Sequence, residues 1–333
     1  MDVRQISHLA YGFMISKALF GALNIELFGH LSDGATSLGA LAEATGVAEN
    51  RLETLTSALV SVGLLSRDGD RLVNAPAAQR YLVPDAPAYF GDYYRFQIDR
   101  QIYPMMAGLD AGLAGDEAGL GHQSMSGWLS EAEDADDFSR AQHAGSTGPA
   151  MMLAKSLDLG GAEKLLDVAG GTGAYSIAFC EKYPDLTATI IDFPSVVDVA
   201  ERFIGDAGMA GRIALVGGDA LQNPWPDGQD VVLMSYLLSA VGGGDIAELL
   251  ERAWRALRPG GRLLLHDFML DDDRAGPVAA AGFFVTYLAL RTDPVSFTAA
   301  QVSSWAGEQG FVDIQSDIMI PEITKIVSAT KPQ

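Results

Sequence analysis

Along the chain the apolar positions change period once. Up to about residue 155 they recur at helical spacing, and from Lys164 they gather into short runs separated by amphipathic stretches. ISKALFGALNIELFGHL carries apolar residues on more than one helical face, as a helix buried between two partners does. SLGALAEATGVAENRLETLTSALVSVGLL divides into two helices about a Gly-Val turn, a helix-turn-helix pattern. LSRDGDRLVNA adds two short strands about Asp-Gly-Asp, and the hairpin completes a winged helix. The next stretch is helical and irregular, with two acidic segments, AGDEAGLG and SEAEDADDF, that read as solvated loops. KLLDVAG, TATIIDF, IALVGGD, DVVLMSYLL and GRLLLHDFML then read as strands with helices between most of them, and VDIQSDIMI and TKIVSAT as a closing hairpin. This alternation predicts an α/β fold: a doubly wound, mostly parallel, Rossmann-like sheet with helices on both faces. The expected division is a mostly helical domain over 1–90, a helical linker over 91–155 and the sheet domain over 156–333.

Charge narrows the partners. A net charge of −21 repels nucleic-acid phosphates and anionic membrane surfaces, leaving a small molecule or a second copy of the chain. The second helix of the winged helix, NRLETLTSALVSVG, has a single arginine, too little for phosphate contacts. The first residues lack the basic start and small-residue cleavage site of a signal peptide, and no uninterrupted apolar run reaches the length of about 20 residues that a membrane span needs. The lone cysteine, Cys180, lies in an apolar helical pattern and reads as core filler in a cytoplasmic protein.

The chemistry gathers at strand ends. LLDVAGGTGAYS is a strand ending in Asp167 that runs through Gly170 and Gly171 into a helix, a turn whose missing Cβ atoms let a ligand approach the backbone and the helix N-terminus. The next strand ends in Asp192, where a carboxylate can bond both hydroxyls of a ribose. Asp219 ends a third, in reach of an adenine, although each aspartate can also simply cap the helix that follows it. With DVAGGTG, IIDFP, GGDAL, ERAWRALRPGGRLLLHDFML and SFTAAQVSSWAGEQGF, nearly the whole chain resembles the class I S-adenosylmethionine-dependent methyltransferases, specifically the cation-independent small-molecule O-methyltransferases with an N-terminal winged-helix dimerisation domain. It departs from them at Ala169, where that family usually has a third glycine. The resemblance implies a homodimer that binds S-adenosylmethionine. It places Ser146 on the methionine carboxylate, with Gln142 in the slot of a common methionine and His143 beside it. It sets Gly170 and Gly171 under the methionine portion, Asp192 on the ribose, Asp219 and Ala220 about the adenine, and Ser235 at a further cofactor contact.

The resemblance also implies a histidine base after the fourth strand, where this chain has Ser239. A neutral serine cannot take a phenol proton, and Ser239 can equally cap a turn. For an already ionised acceptor, proximity to the electrophilic sulfonium is enough. A ring carbon could attack instead, or the fold could bind the cofactor for a non-methylating reaction. His143 and His266 are the replacement bases, ahead of His122 and His8. The acceptor pocket is expected from Tyr94, Phe96, Arg100, Tyr103 and Met106 in the linker and from Phe283, Phe284 and Tyr287 after the fifth strand, which favours a flat, largely apolar molecule. No metal site is expected: His266 and Asp267 are adjacent on a strand and diverge. The rival from another class is a ligand-sensing transcription regulator.

Overall fold

The computed structural model describes residues 1–116, 132–291 and 293–333, so His122 and the second half of AGDEAGLG lie outside the described residues. The chain forms two compact units, Met1–Gln101 and Ile102–Gln333, so the expected linker is shared between them.

The first unit opens with α1 (Val3–Asn24), started by a capping box in which Asp2 and Gln5 satisfy each other's backbone N–H groups. By length and composition α1 could cross a membrane. Glu26, at φ 53°, breaks the expected single helix, and the chain restarts as α2 (Leu27–Ser32). α3 (Leu38–Thr45) and α4 (Glu49–Ser61) meet at Gly46, whose φ of 71° ends α3. β1 (Leu65–Asp68) and β2 (Arg71–Asn74) pair as the expected antiparallel hairpin. Leu23, Leu27, Phe28, Leu41, Leu52 and Leu72 form this unit's core, and α5 (Pro76–Tyr81) adds Ala78 to it. The unit ends in a π-helix, Tyr93–Ile102. Its buried Asp99 is held by Lys17 and by Asn24 Nδ2 at 3.2 Å, both on α1.

The second unit begins with short turns, α6 (Tyr103–Met105) and α7 (Leu109–Ala114). α8 (Ala132–Ser156) follows, so most of the acidic segment SEAEDADDF is helix rather than loop. Then come β3 (Lys164–Val168), α9 (Ala174–Lys182), β4 (Thr187–Asp192), α10 (Pro194–Asp206), β5 (Ile213–Gly217), β6 (Gln229–Ser235), α11 (Asp245–Ala256) and β7 (Leu257–Asp267). α12 (Val278–Leu288), α13 (Ala299–Glu308), β8 (Val312–Ile320) and β9 (Thr324–Thr330) complete the chain. The sheet order is β5-β4-β3-β6-β7-β9-β8. β3 to β7 are mutually parallel, while β9 runs antiparallel to β7 and β8. Strand order reverses beside β3, so the crevice at the C-terminal ends of β3, β4 and β6 is where a doubly wound sheet takes a ligand. Two apolar layers flank the sheet, one built on Leu166, Val232 and Leu265, the other on Leu165, Leu233 and Leu264. Consecutive strand residues thus face opposite layers, as the pleat requires.

Candidate active site

The glycine loop after β3 is shaped by a buried acid. Asp167 is 1% exposed; its Oδ2 accepts from Ser176 Oγ at 2.7 Å, while its buried Oδ1 has no partner. Burial, with a contribution from the nearby Asp192 charge, raises its pKa to about 7. A Cβ on Gly170 would stand 2.7 Å from the Asp167 carboxyl carbon, so only glycine fits there. Gly171, at φ 56°, has open space where a Cβ would project. Asp192 folds back onto this loop: its Oδ2 accepts from Gly171 N at 2.8 Å and its Oδ1 from Phe193 N at 2.7 Å. Burial raises its pKa to about 6, against the pull of those two N–H donors. Asp219 caps its own turn, accepting from Leu221 N at 2.8 Å and Gln222 Nε2 at 2.9 Å, with Ala220 half-buried beside it.

An unpartnered buried carboxylate oxygen, an open glycine cradle and a second acid on the next strand fit the cationic, ribose-bearing S-adenosylmethionine.

His143 sits beside this loop. Its Nδ1 is 2.8 Å from Thr172 Oγ1, and its ring stacks on Phe203 of α10 with centroids 4.2 Å apart. Burial lowers its pKa, so the ring is neutral near neutral pH. Ser146, half-buried, lies three residues on, one turn along the same face of α8. The geometry attaches His143 to the glycine loop, a link through Thr172 that no spacing in the sequence announces.

At the ends of β6 and β7 the register pairs Ser235 with His266. His266 is fully buried: its Nδ1 meets Ser235 Oγ at 2.9 Å and Tyr175 OH at 3.2 Å, and its Nε2 meets Thr324 Oγ1 at 2.9 Å. Burial drops its pKa to about 3. The imidazole is neutral and enclosed, with both nitrogens engaged within the fold. Asp267 points the other way, as the pleat requires. Its Oδ2 accepts from Ser239 N at 3.0 Å and its Oδ1 from Phe268 N at 2.8 Å. Burial raises its pKa to about 6. Ser239, 1% exposed, also turns its Oγ to within 3.3 Å of Tyr287 OH.

Of the expected acceptor residues, Tyr287 is joined to the strand ends by the hydrogen bond between its OH and Ser239 Oγ. Phe283 stacks on Phe268 with centroids 3.9 Å apart. Phe284 is a core residue, packed edge-on against Phe297, because it points from α12 into the apolar layer. Phe96 is likewise buried, in the first unit, with the Arg95 and Arg100 guanidiniums over its ring. Tyr94 packs against the first unit's core and the rings of Phe90 and Tyr93. Tyr103 and Met106 are half-buried in the second unit. Among the described residues no cluster of three or more histidine, cysteine or acidic side chains could hold a metal ion.

Comparison with known proteins agrees with this geometry. Residues 120–312 match a family model for an O-methyltransferase domain, and residues 7–84 one for an O-methyltransferase dimerisation domain. A 3-hydroxy-5-methyl-1-naphthoate 3-O-methyltransferase of Streptomyces sahachiroi is 30% identical over 93% of this chain and 90% of its own. A tetracenomycin polyketide synthesis 8-O-methyltransferase of Streptomyces glaucescens is 29% identical over 95% of this chain and 92% of its own. The crystal structure of human N-acetylserotonin methyltransferase in complex with S-adenosylmethionine superposes with a TM-score of 0.89 over 100% of this chain and 99% of that one, at 23% identity, a likeness of fold. The chain therefore belongs to the O-methyltransferase family that carries a dimerisation domain, and it is a methyltransferase that uses S-adenosylmethionine.

Proposed function

We propose that this methyltransferase acts, as a homodimer, on a hydroxyl group of a flat, largely apolar aromatic molecule of natural-product type, and that positioning and desolvation carry more of the catalysis than a strong base. The observation that carries this reading is the end of β6: Ser239 occupies the position where the family resemblance implies a histidine, and it is buried against Asp267 and Tyr287. The two relatives above, named for a naphthoate and a tetracenomycin, support an aromatic acceptor.

The cofactor supplies an electrophilic methyl group on a positively charged sulfur. Gly170 and Gly171 leave room for its methionine portion, Ser146 takes the carboxylate, and Asp167 offers its free oxygen from beneath. Asp192 accepts from the ribose hydroxyls, while Asp219 and Ala220 flank the base. Ser235, oriented by His266, is a further cofactor contact, and His143 steadies the loop through Thr172. An acceptor held in line with the methyl group, in a site that excludes water, gains rate from proximity and from the stronger electrostatics of a dry site. Phe283, Tyr287, Tyr103 and Met106 of the second unit are the residues we assign to acceptor recognition. The helix-turn-helix and hairpin of the first unit are a winged helix that serves dimerisation. The net charge of −21 argues for a small molecule over nucleic acid or an anionic membrane. A lone cysteine, buried and unpaired, fits the reducing cytoplasm.

Mass spectrometry of reactions with 4-nitrophenol, 2-naphthol, indole and thiophenol tests the reading, with release of S-adenosylhomocysteine as control. A methyl group on phenolic oxygen is the expected result. A methyl group on ring carbon alone would replace O-methylation by C-methylation, and cofactor binding without either product would point to a non-methylating reaction.

A further inference from the structure

Asp267 has more contacts than a turn requires. The N–H groups of Ser239 and Phe268, at 3.0 and 2.8 Å, each take one oxygen of the carboxylate and leave lone pairs over. A second, side-chain path leads away from it: Ser239 Oγ meets Tyr287 OH at 3.3 Å, and the same hydroxyl, with the Ser239 amide, pulls the Asp267 pKa down against its burial. Asp267 and Ser239 are each 1% exposed, whereas Tyr287 on α12 is only half-buried, so the path runs from a closed carboxylate towards a more open phenol. Ser239 also stands where the family resemblance implies a base.

We propose that Asp267 receives, through Ser239 and Tyr287, the proton that a hydroxyl acceptor loses on methylation. This rests on the O-methylation reading above and supplies the proton acceptor that reading lacks. The acceptor oxygen bonds to the methyl carbon as the methyl's bond to sulfur breaks. The acceptor's O–H bond breaks, and its proton passes to the Tyr287 oxygen. The Tyr287 proton moves to Ser239 Oγ, and the Ser239 proton to the Asp267 carboxylate. One positive charge on sulfur and one negative charge on the carboxylate disappear together, so charge balances. Burial holds the Asp267 carboxyl near a pKa of about 6, a better base than an ordinary surface carboxylate and still ionised at neutral pH. Tyr287 from α12 lies on the Asp267 side through Ser239, while Tyr175 from α9 and Tyr236, just after β6, contact His266 on the other side and are raised in part by the Asp267 charge. Lys325, its register partner on β9, is drawn off to Leu270 O at 2.9 Å and to Asp271, and Arg291 is held by Ala240 O at 3.0 Å and Asp293.

Tyr287→Phe and Ser239→Ala each remove one hydroxyl from the path and leave both backbone caps in place. Turnover is measured on phenols of graded acidity, from 4-nitrophenol, largely ionised in mildly alkaline buffer, to 4-methylphenol, which is not. Cofactor affinity and melting temperature are measured alongside to confirm the fold. The relay predicts that each variant's loss in kcat is about a hundredfold greater on 4-methylphenol than on 4-nitrophenol. In the parent enzyme kcat on 4-methylphenol falls below about pH 6, following Asp267, and the variants lose that limb. Equal losses across the series would mark a structural role and overturn the relay, as would no loss at all; both leave O-methylation standing. Methylation of carbon alone by the parent enzyme would overturn both readings, and it shows before any variant is made.

Discussion

Ala169 shows what one methyl group does in a loop shaped by glycines. It holds φ at 54°, the left-handed region, and is kept there by its N–H bond to Ile191 O at 2.8 Å. An L side chain in that conformation is strained by about 1 kcal/mol. Ala169→Gly is therefore expected to raise the melting temperature by about 2–4 °C, read by calorimetry; an unchanged or lower value would mean that the extra freedom of glycine in the unfolded chain outweighs the relief. The departure at this position was legible in the sequence; the strain it carries was not. The aspartates were legible because each follows an apolar run at a strand end, where the structure indeed sets them. Partnerships were harder to read. Thr172 meets His143 across 29 positions, and no spacing pattern encodes such a pair. At His266 and Asp267 the alternation correctly put the two side chains on opposite faces. Which face holds a closed hydrogen-bonded cage and which faces Ser239 depends on residues from α9, α12 and β9.

The strands were the most readable elements, because buried parallel strands appear as unbroken apolar runs. β7 begins at Leu257, earlier than its apolar run suggests, since the Arg-Pro-Gly-Gly segment already lies along the sheet. Helices were less legible. The π-helix at Tyr93–Ile102 has no sequence signature, and its buried Asp99 is held by α1 residues far away in the chain. α1 itself is the element whose surface most calls for a partner. It buries Phe20, Ala22 and Leu23 but exposes Val3, Ile6, Leu9, Tyr11, Phe13 and Met14. Scattered apolar residues need no explanation, but six on one helix form a patch, and the dimerisation family model covers most of them. In light scattering the parent chain is expected at dimer mass and the Leu9→Asp/Phe13→Asp double variant at monomer mass, with unchanged helical circular dichroism. A variant that stays dimeric would move the interface elsewhere.

Taken as a whole, the molecule carries a formal net charge of −21, and three of its carboxyls, Asp167, Asp192 and Asp267 in the second unit, have pKa values raised by burial to about 7, 6 and 6. A raised value means that the folded chain binds more protons than the unfolded chain between about pH 4 and 7. Stability from these groups is full below the unfolded value of 3.8 and is lost as pH rises through 6 to 7. Self-repulsion of the surface charge grows over the same interval. The ligand-free enzyme is therefore expected to melt several degrees lower at pH 7.5 than at pH 5.5, with added salt recovering part of the difference; a flat or rising profile would contradict the buried acids. The unpaired oxygen of Asp167 gives this a further consequence. On the proposed placement of the cationic cofactor beside this carboxyl, whose pKa burial raises to about 7, loading the enzyme is expected to release protons and unloading to absorb them. Its grip on spent and fresh cofactor, which differ by one positive charge, then depends on ambient acidity: alkaline conditions favour the charged, methyl-bearing form, and acidification levels the two.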